Sequence, residues 1–329
     1  MDQKEKIDII NESKKTGKKY AKLFIKNFQN SAKNTKELKN YFSELKKLSV
    51  EDICSTIYMI TNFANQILEE TGSIVPLKEY EDSIYTMYEI IIDKIKNLDN
   101  IWVIIENDTK CPFLNENNEI YIFTNKTYIN IYTDYVLKLM NDESEIPLWT
   151  FQSVKKENIK KFLINSGYSI GVDAFCINPC SFVGCIINTE NMINKPKNKK
   201  NLKEQIKNPV MFRTAIKIKQ EYIKSKNSLL NNNLMEELED AIISAKVIIP
   251  VQIKKDGLAS INLLILEYQE YKLKSLPIFT DIDEFNKFYP NKKNKPWIWD
   301  ADKLTEFDFE LGVINPGSVN LGIQRDWFE

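Results

Sequence analysis

Histidine is absent from all 329 residues of this chain. That single absence removes the Ser-His-Asp triad, the Cys-His nucleophile pair, the histidine general base and His-ligated zinc. Arginine occurs only as Arg213 and Arg325, so bidentate reading of phosphates or guanine edges has almost nothing to carry it. Glycine is scarce as well. The nine glycines stand apart from one another and form neither a GxGxxG nor a Walker-type loop, which leaves the common nucleotide sites without support. Apolar runs are short, and even Ile261–Leu266 falls far below the length of a membrane span. The five cysteines, Cys54, Cys111, Cys176, Cys180 and Cys185, are odd in number and unevenly spread, unlike a disulfide framework. The start, MDQKEKIDII, is charged and lacks the apolar core of a secretory signal, so a cytoplasmic location is expected.

What is present is an ordinary globular composition for two or three domains, with a formal net charge of −1. That balance argues against bulk binding of DNA or RNA. The chain is rich in Lys, Ile and Asn, a pattern that an AT-rich coding bias explains as well as selection does.

The strongest positive signal is an internal repeat. In the second copy, Leu234, Leu238, Ala241, Ile242 and Ala245 fall at helical spacing, followed by the apolar run Val247–Ile253. Ser260–Tyr268 reads as a buried strand and Leu276–Phe279 as another. Thr280 or Asp281 is placed to cap a short helix bearing Ile282, Phe285 and Phe288. Trp297–Trp299, Gly312–Ile314 and Val319–Ile323 read as the closing strands. Upstream, Tyr80, Ile84, Met87, Ile91 and Ile95 make an equivalent stripe, and Ile101–Ile105 an equivalent strand. Two words then recur in order. Ile122-Phe123-Thr124 matches Ile278-Phe279-Thr280, and Ile177-Asn178-Pro179 matches Ile314-Asn315-Pro316. The upstream copy is longer between the words, which places an insertion around 140–164.

The Asn-Pro words suit a hairpin turn. A residue before proline is expected to be extended, proline sets φ for the first central position, and Gly317 would permit a type II turn. Turn chemistry accounts for both words; ligand contact through Asn178 or Asn315 is the sharper alternative.

VIIPV, LPIFTDIDEFNKF and VINPGSVNL, in that order after a helix, resemble the SseB family, bacterial proteins named for enhanced serine sensitivity. The resemblance covers 234–323 well, 80–188 weakly and the start not at all. It implies an α/β (α+β) fold of two tandem small mixed-sheet domains with flanking helices, preceded by an N-terminal helical segment. It implies no catalytic residues and no cofactor. The domain reading is 1–76 helical, 77–190 first repeat, 191–232 basic linker and connecting helix, and 233–329 second repeat.

The first segment reads as three helices. Ile7, Ile10, Tyr20, Phe24 and Phe28 share a stripe that Gly17 interrupts, and Ser49 caps the third helix. Its lysines read as a solvated face or as a surface for an acidic partner or a membrane. Between the repeats, INKPKNKKNLKEQIKNP reads as an exposed linker without the interleaved aromatics that single-stranded nucleic acid needs.

Three groups could carry chemistry. Cys176, Cys180 and Cys185 are spaced irregularly for zinc and read as structural thiols. The acidic group after Trp299, with Asp300 and Asp302 foremost, could hold a divalent cation or work as an acid–base pair, against the plainer reading of a charged loop. Trp327 and Phe328, read as exposed, could anchor a partner. Together these point away from catalysis and toward a protein-interaction or scaffold role, with Asn178, Asn315, Trp299, Asp300 and Asp302 as candidate contacts. A carboxylate-based enzyme or ligand binder, and a basic adaptor for a membrane surface or nucleic acid, remain as alternatives.

Overall fold

The structure is a computed structural model that describes residues 3–30, 35–71, 77–140, 149–179, 181, 183–194, 206–225, 232–253, 259–261, 263–268, 271–291 and 293–328. It is an α+β fold with an N-terminal helical layer. No helix among the described residues is long and apolar enough to cross a membrane.

The layer consists of α1 (Gln3–Asn30), α2 (Thr35–Leu45) and α3 (Val50–Thr71). Ser49 caps α3 as expected, its Oγ accepting the Asp52 backbone N–H at 3.0 Å. Ile53, Ile57 and Ile60 of α3 are buried with Phe24 of α1 and Leu45 of α2. Ile7, expected in the buried stripe, is half exposed. The stripe residue Phe28 and the helix stop at Gly72 lie outside the described side chains and residues.

Helix α4 (Leu77–Asn97) buries Met87, Ile91 and Ile95 and feeds the first sheet. Its strands are β1 (Asn100–Glu106), β2 (Glu119–Phe123), β3 (Trp149–Lys155), β4 (Ala174–Ile177) and β5 (Cys185–Asn188), in the order β3-β1-β2-β4-β5. β2 and β4 are parallel, and the other pairs are antiparallel. Helix α5 (Lys126–Met140) follows β2. Helix α6 (Lys156–Ile164) and a π-turn (Asn165–Ile170) join β3 to β4. A short α7 (Thr189–Met192) follows β5.

After α8 (Pro209–Ser225) and α9 (Asn232–Ile243), the second half lays down β6 (Lys246–Ile253), β7 (Ala259–Ile261), β8 (Leu264–Tyr268) and β9 (Tyr271–Ile278). Helix α10 (Ile282–Phe288), β10 (Lys295–Asp300), a 3-10 turn (Ala301–Glu306), β11 (Leu311–Ile314) and β12 (Leu321–Gln324) complete it. β10 pairs with β6, and β9, β11 and β12 run side by side; a single bridge, Ile248 to Phe279, joins the two sets. The resulting order, β10-β6-β9-β11-β12, is the order of the first sheet, and β9 and β11 are again the parallel pair. Registers agree as well: Ile122 faces Ile177, and Ile278 faces Ile314.

The halves differ where lengths differ. Ser260–Tyr268, read from the sequence as one buried strand, is instead split: β7 pairs with β6, and β8 pairs with β9. These two strands fill the places where β6 would otherwise lie flush along β9. The extra length of the first half is shared between a longer α5 and the α6–π-turn segment, which stands where the second half has one 3-10 turn.

Helix α8 is not a spacer. Met211, Phe212, Thr214, Ala215, Ile216, Ile218 and Gln220 are all buried, so the helix is enclosed on several faces rather than along one stripe. The described helix ends at Ser225, and residues 226–231 of the stretch read as helical lie outside the described residues. Gln220 reaches back to the first half, its Nε2 donating to the Pro112 carbonyl at 3.2 Å. Arg213 donates to the Gly171 carbonyl at 2.7 Å and to Glu237 of α9 at 3.2 Å. Gly171 closes the π-turn at φ 76°, and a Cβ there would lie 2.6 Å from the Pro209 Cβ. Only glycine tolerates both that conformation and that approach. Lys207, in the stretch read as linker, donates to Ser169 at 2.9 Å and lies 3.4 Å from Asp281. Residues 195–205 of that stretch lie outside the described residues.

Candidate functional site

The Asn-Pro words turn out to be an internal clasp, built twice. At the end of β4, the Asn178 backbone N–H donates to the Ile122 carbonyl at 2.8 Å, and at the end of β11 Asn315 does the same to Ile278 at 2.8 Å. Each side chain then grips the threonine that leaves the parallel neighbour. The Thr124 backbone N–H donates to Asn178 Oδ1 at 3.0 Å, and Asn178 Nδ2 donates to Thr124 Oγ1 at 3.0 Å. The Thr280 N–H donates to Asn315 Oδ1 at 3.0 Å, and Asn315 Nδ2 donates to Thr280 Oγ1 at 2.9 Å. Both asparagines are fully buried. Their amides are spent inside the fold.

The expected backbone geometry is corrected here. Asn178 and Asn315 are not extended; they sit at φ 46° and 44°, in the left-handed region. Asparagine enters that region more readily than most side chains because its short amide bonds locally. Gly317 has no positive φ, so the type II turn is not formed; the left-handed residue precedes proline rather than following it.

In the first half the clasp is tied to the N-terminal layer, because Thr124 Oγ1 also donates to Glu51 of α3. In the second half the adjoining Asp281 caps α10, its Oδ1 accepting the Asp283 and Glu284 N–H groups at 2.8 and 3.1 Å. The capping residue expected from the sequence is therefore in place.

The other three candidates gather around β10. Trp297 and Trp299 project from the same face with rings 6.5 Å apart and 4° from parallel. Trp299 packs on Phe307 and donates from Nε1 to the Lys303 carbonyl at 3.4 Å. Trp297 remains 38% exposed. β10 is an edge strand with no fully buried residue. Asp300 is held between Lys246 at 2.8 Å and Lys303 at 3.1 Å, and these hydrogen bonds keep its carboxyl below the usual range. A general acid at neutral pH needs the opposite shift. Asp302 is exposed on the following turn. No cluster of three or more potential metal ligands occurs among the described residues.

This arrangement carries a pH prediction. A depressed folded-state pKa contributes stability above the unfolded-state value and loses it as pH falls through the folded one. The window therefore lies on the acid side of about pH 4. Asp300 is part-exposed on a solvated edge, where such pairs are screened. Lys246→Ala should raise the Asp300 titration midpoint seen by NMR while leaving the melting temperature near neutral pH unchanged.

Other expectations are corrected. Phe328 is no exposed anchor; it is buried, with its ring 5.9 Å from Phe309. Cys180 lies outside the described residues, and the sulfur facing Cys185 belongs to Cys54, which sequence spacing gave no means of pairing with it. A cleft of about 740 Å³ lies elsewhere, beside the π-turn, where Tyr168, Asp173, Asn188, Thr189 and Glu190 line it. It includes none of the five candidates. Comparison with protein families, with curated proteins and with solved structures gave no match.

Proposed function

We propose that this is a non-catalytic protein-interaction module, a tandem of two SseB-like α/β units, and that a partner protein docks on the β10 face. The observation that carries the reading is Trp297: a tryptophan 38% exposed on an open edge strand, laid parallel to a second tryptophan. An aromatic centre within a charged rim, here Lys246, Lys295, Asp300 and Lys303, is how interface hot spots are built. The tandem reading is supported by the shared strand order and the paired clasps. The carboxylate-enzyme alternative asks for a raised carboxyl in a pocket, whereas Asp300 is lowered and ion-paired.

The test is quantitative capture from lysate of the source cell with the full chain as bait. Truncation at 78 is unsuitable, since it would strip α3 from a shared core. Trp297→Ala should keep the fold, because the ring is not buried, and should cut recovery of a stoichiometric partner by about tenfold or more. Recovery of the same partner at the same level would sink the reading.

A second reading, the basic adaptor, has one specific observation. Lys15, Lys18, Lys19, Lys22 and Lys26 line one groove on α1, with Leu23 among them 40% exposed. An anionic bilayer is the matching surface.

A further inference from the structure

Cys54 and Cys185 lie 131 positions apart in the chain, yet their sulfurs are 3.4 Å apart. Cys54 is on α3, one turn beyond the Glu51 that reaches the Thr124 clasp, and is buried. Cys185 opens the edge strand β5 and is partly exposed, beside the half-exposed Ile186. Neither is in a disulfide. A disulfide bond is about 2.05 Å long, so closing it asks the sulfurs to approach by about 1.4 Å.

We propose that Cys54 and Cys185 are a peroxide-oxidisable dithiol that latches the N-terminal helical layer to the first sheet. The exposed partner reacts first. The Cys185 thiolate attacks one peroxide oxygen, the O–O bond breaks, and the released hydroxide takes a proton and leaves as water, giving the sulfenic acid. Cys54 then attacks that sulfur. The S–S bond forms, the S–O bond breaks, and the leaving hydroxide takes the Cys54 proton as a second water. Two thiols are oxidised by two electrons, and one peroxide is reduced to two waters. A small dithiol reverses the reaction.

The neighbourhood fits that order. The hydrogen bond to Cys185 and burial together push the Cys54 thiol well up, so it is a poor first nucleophile and a resolving one. Tyr88 lies beside the pair and is pushed to about 12, by burial first; it offers no charge to compete. The link would close a loop running from α3 through β1 to β4, and closing long loops stabilises a fold most.

The experiment uses the full chain, reduced and then exposed to hydrogen peroxide, read by intact mass, peptide mapping and thermal melting. The expected product is about 2 Da lighter, carries a Cys54–Cys185 linked peptide, melts several degrees higher and is restored by dithiothreitol. Cys54→Ser should leave a sulfenic acid at Cys185 that dimedone traps. A triple variant Cys111→Ser, Cys176→Ser, Cys180→Ser should still form the link. Mapping of the link to other cysteines, over-oxidation of Cys185 without any link, or resistance of the native linked form to dithiothreitol would each overturn the proposal. The wild-type peptide map decides the matter even where a variant folds poorly.

Discussion

Asn315→Ala is expected to destabilise the chain by about 3 kcal/mol, combining an unpaired buried donor with a left-handed backbone. The Thr280 N–H loses its acceptor in a site with no exposure, at about 1–3 kcal/mol. Alanine at φ 44° lacks the amide bonding that lets asparagine occupy the left-handed region, adding about 1 kcal/mol. Asn315→Gly separates the two costs: it frees the backbone and still loses the clasp, so it should recover about 1 kcal/mol of the loss. Against a total stability of about 5–15 kcal/mol the effect is large, and urea denaturation of the three proteins reads it directly. Asn178→Ala should follow the same order. A negligible loss in Asn315→Ala would mean that the clasp is ornament.

The second large effect is expected at Gly17. A Cβ on this residue would lie 2.4 Å from Ser55 Oγ, 2.7 Å from the Ser55 carbonyl carbon and 2.8 Å from its Cβ. Two of those atoms cannot rotate away, so α1 must lift from α3. Gly17→Ala gains about 1 kcal/mol of helix propensity to set against the strain. Gly17→Leu has no such balance and should cost about 3 kcal/mol or more, overpacking a tight contact. Lifting α1 uncovers Phe24 and Ala21, both buried. Hydrogen exchange should show lost protection over 3–30 and α3, with β2 and β4 retained. Unchanged protection in α1 would contradict the crossing.

Much of the architecture was legible because it rests on local rules. The α4 stripe from Ile84 to Ile95, the Ser49 cap and the Asp281 cap follow from helical spacing and short polar side chains, and the structure places them as read. The two recurring words were legible as a pattern, and strand order and register repeat at both. What failed to show was non-local. Nothing in the composition of α8 says that it is enclosed between two halves, because Lys217 and Lys219 disguise a helix buried at most other positions. Gly17 looked like a helix interruption because the residue it touches lies on another helix. The proline rule predicted extended asparagines, yet a side chain that can bond the neighbouring strand's threonine holds them left-handed. Cys54 and Cys185 could be paired only by knowing that α3 docks beside β5.

The site residues divide along the same line. Asn178 and Asn315 were singled out for recurrence, and recurrence here follows a structural need. Trp299 shares β10 with Trp297, which is the exposed member of the pair. Asp300 and Asp302 stood out as charge, and Asp300, on a solvated edge, forms ion pairs with the nearest lysines.

Helix α8 and the residues leading into it join the two halves of the chain, with Arg213 and Lys207 bonded to both and Gln220 reaching the first. The most direct test is hydrogen exchange by mass spectrometry on Asn315→Ala across a urea series. Protection in β2–β4 is expected to fall together with protection in β9–β11, although the substitution touches only the second half. Loss confined to β9–β11, with the first sheet still protected, would contradict it.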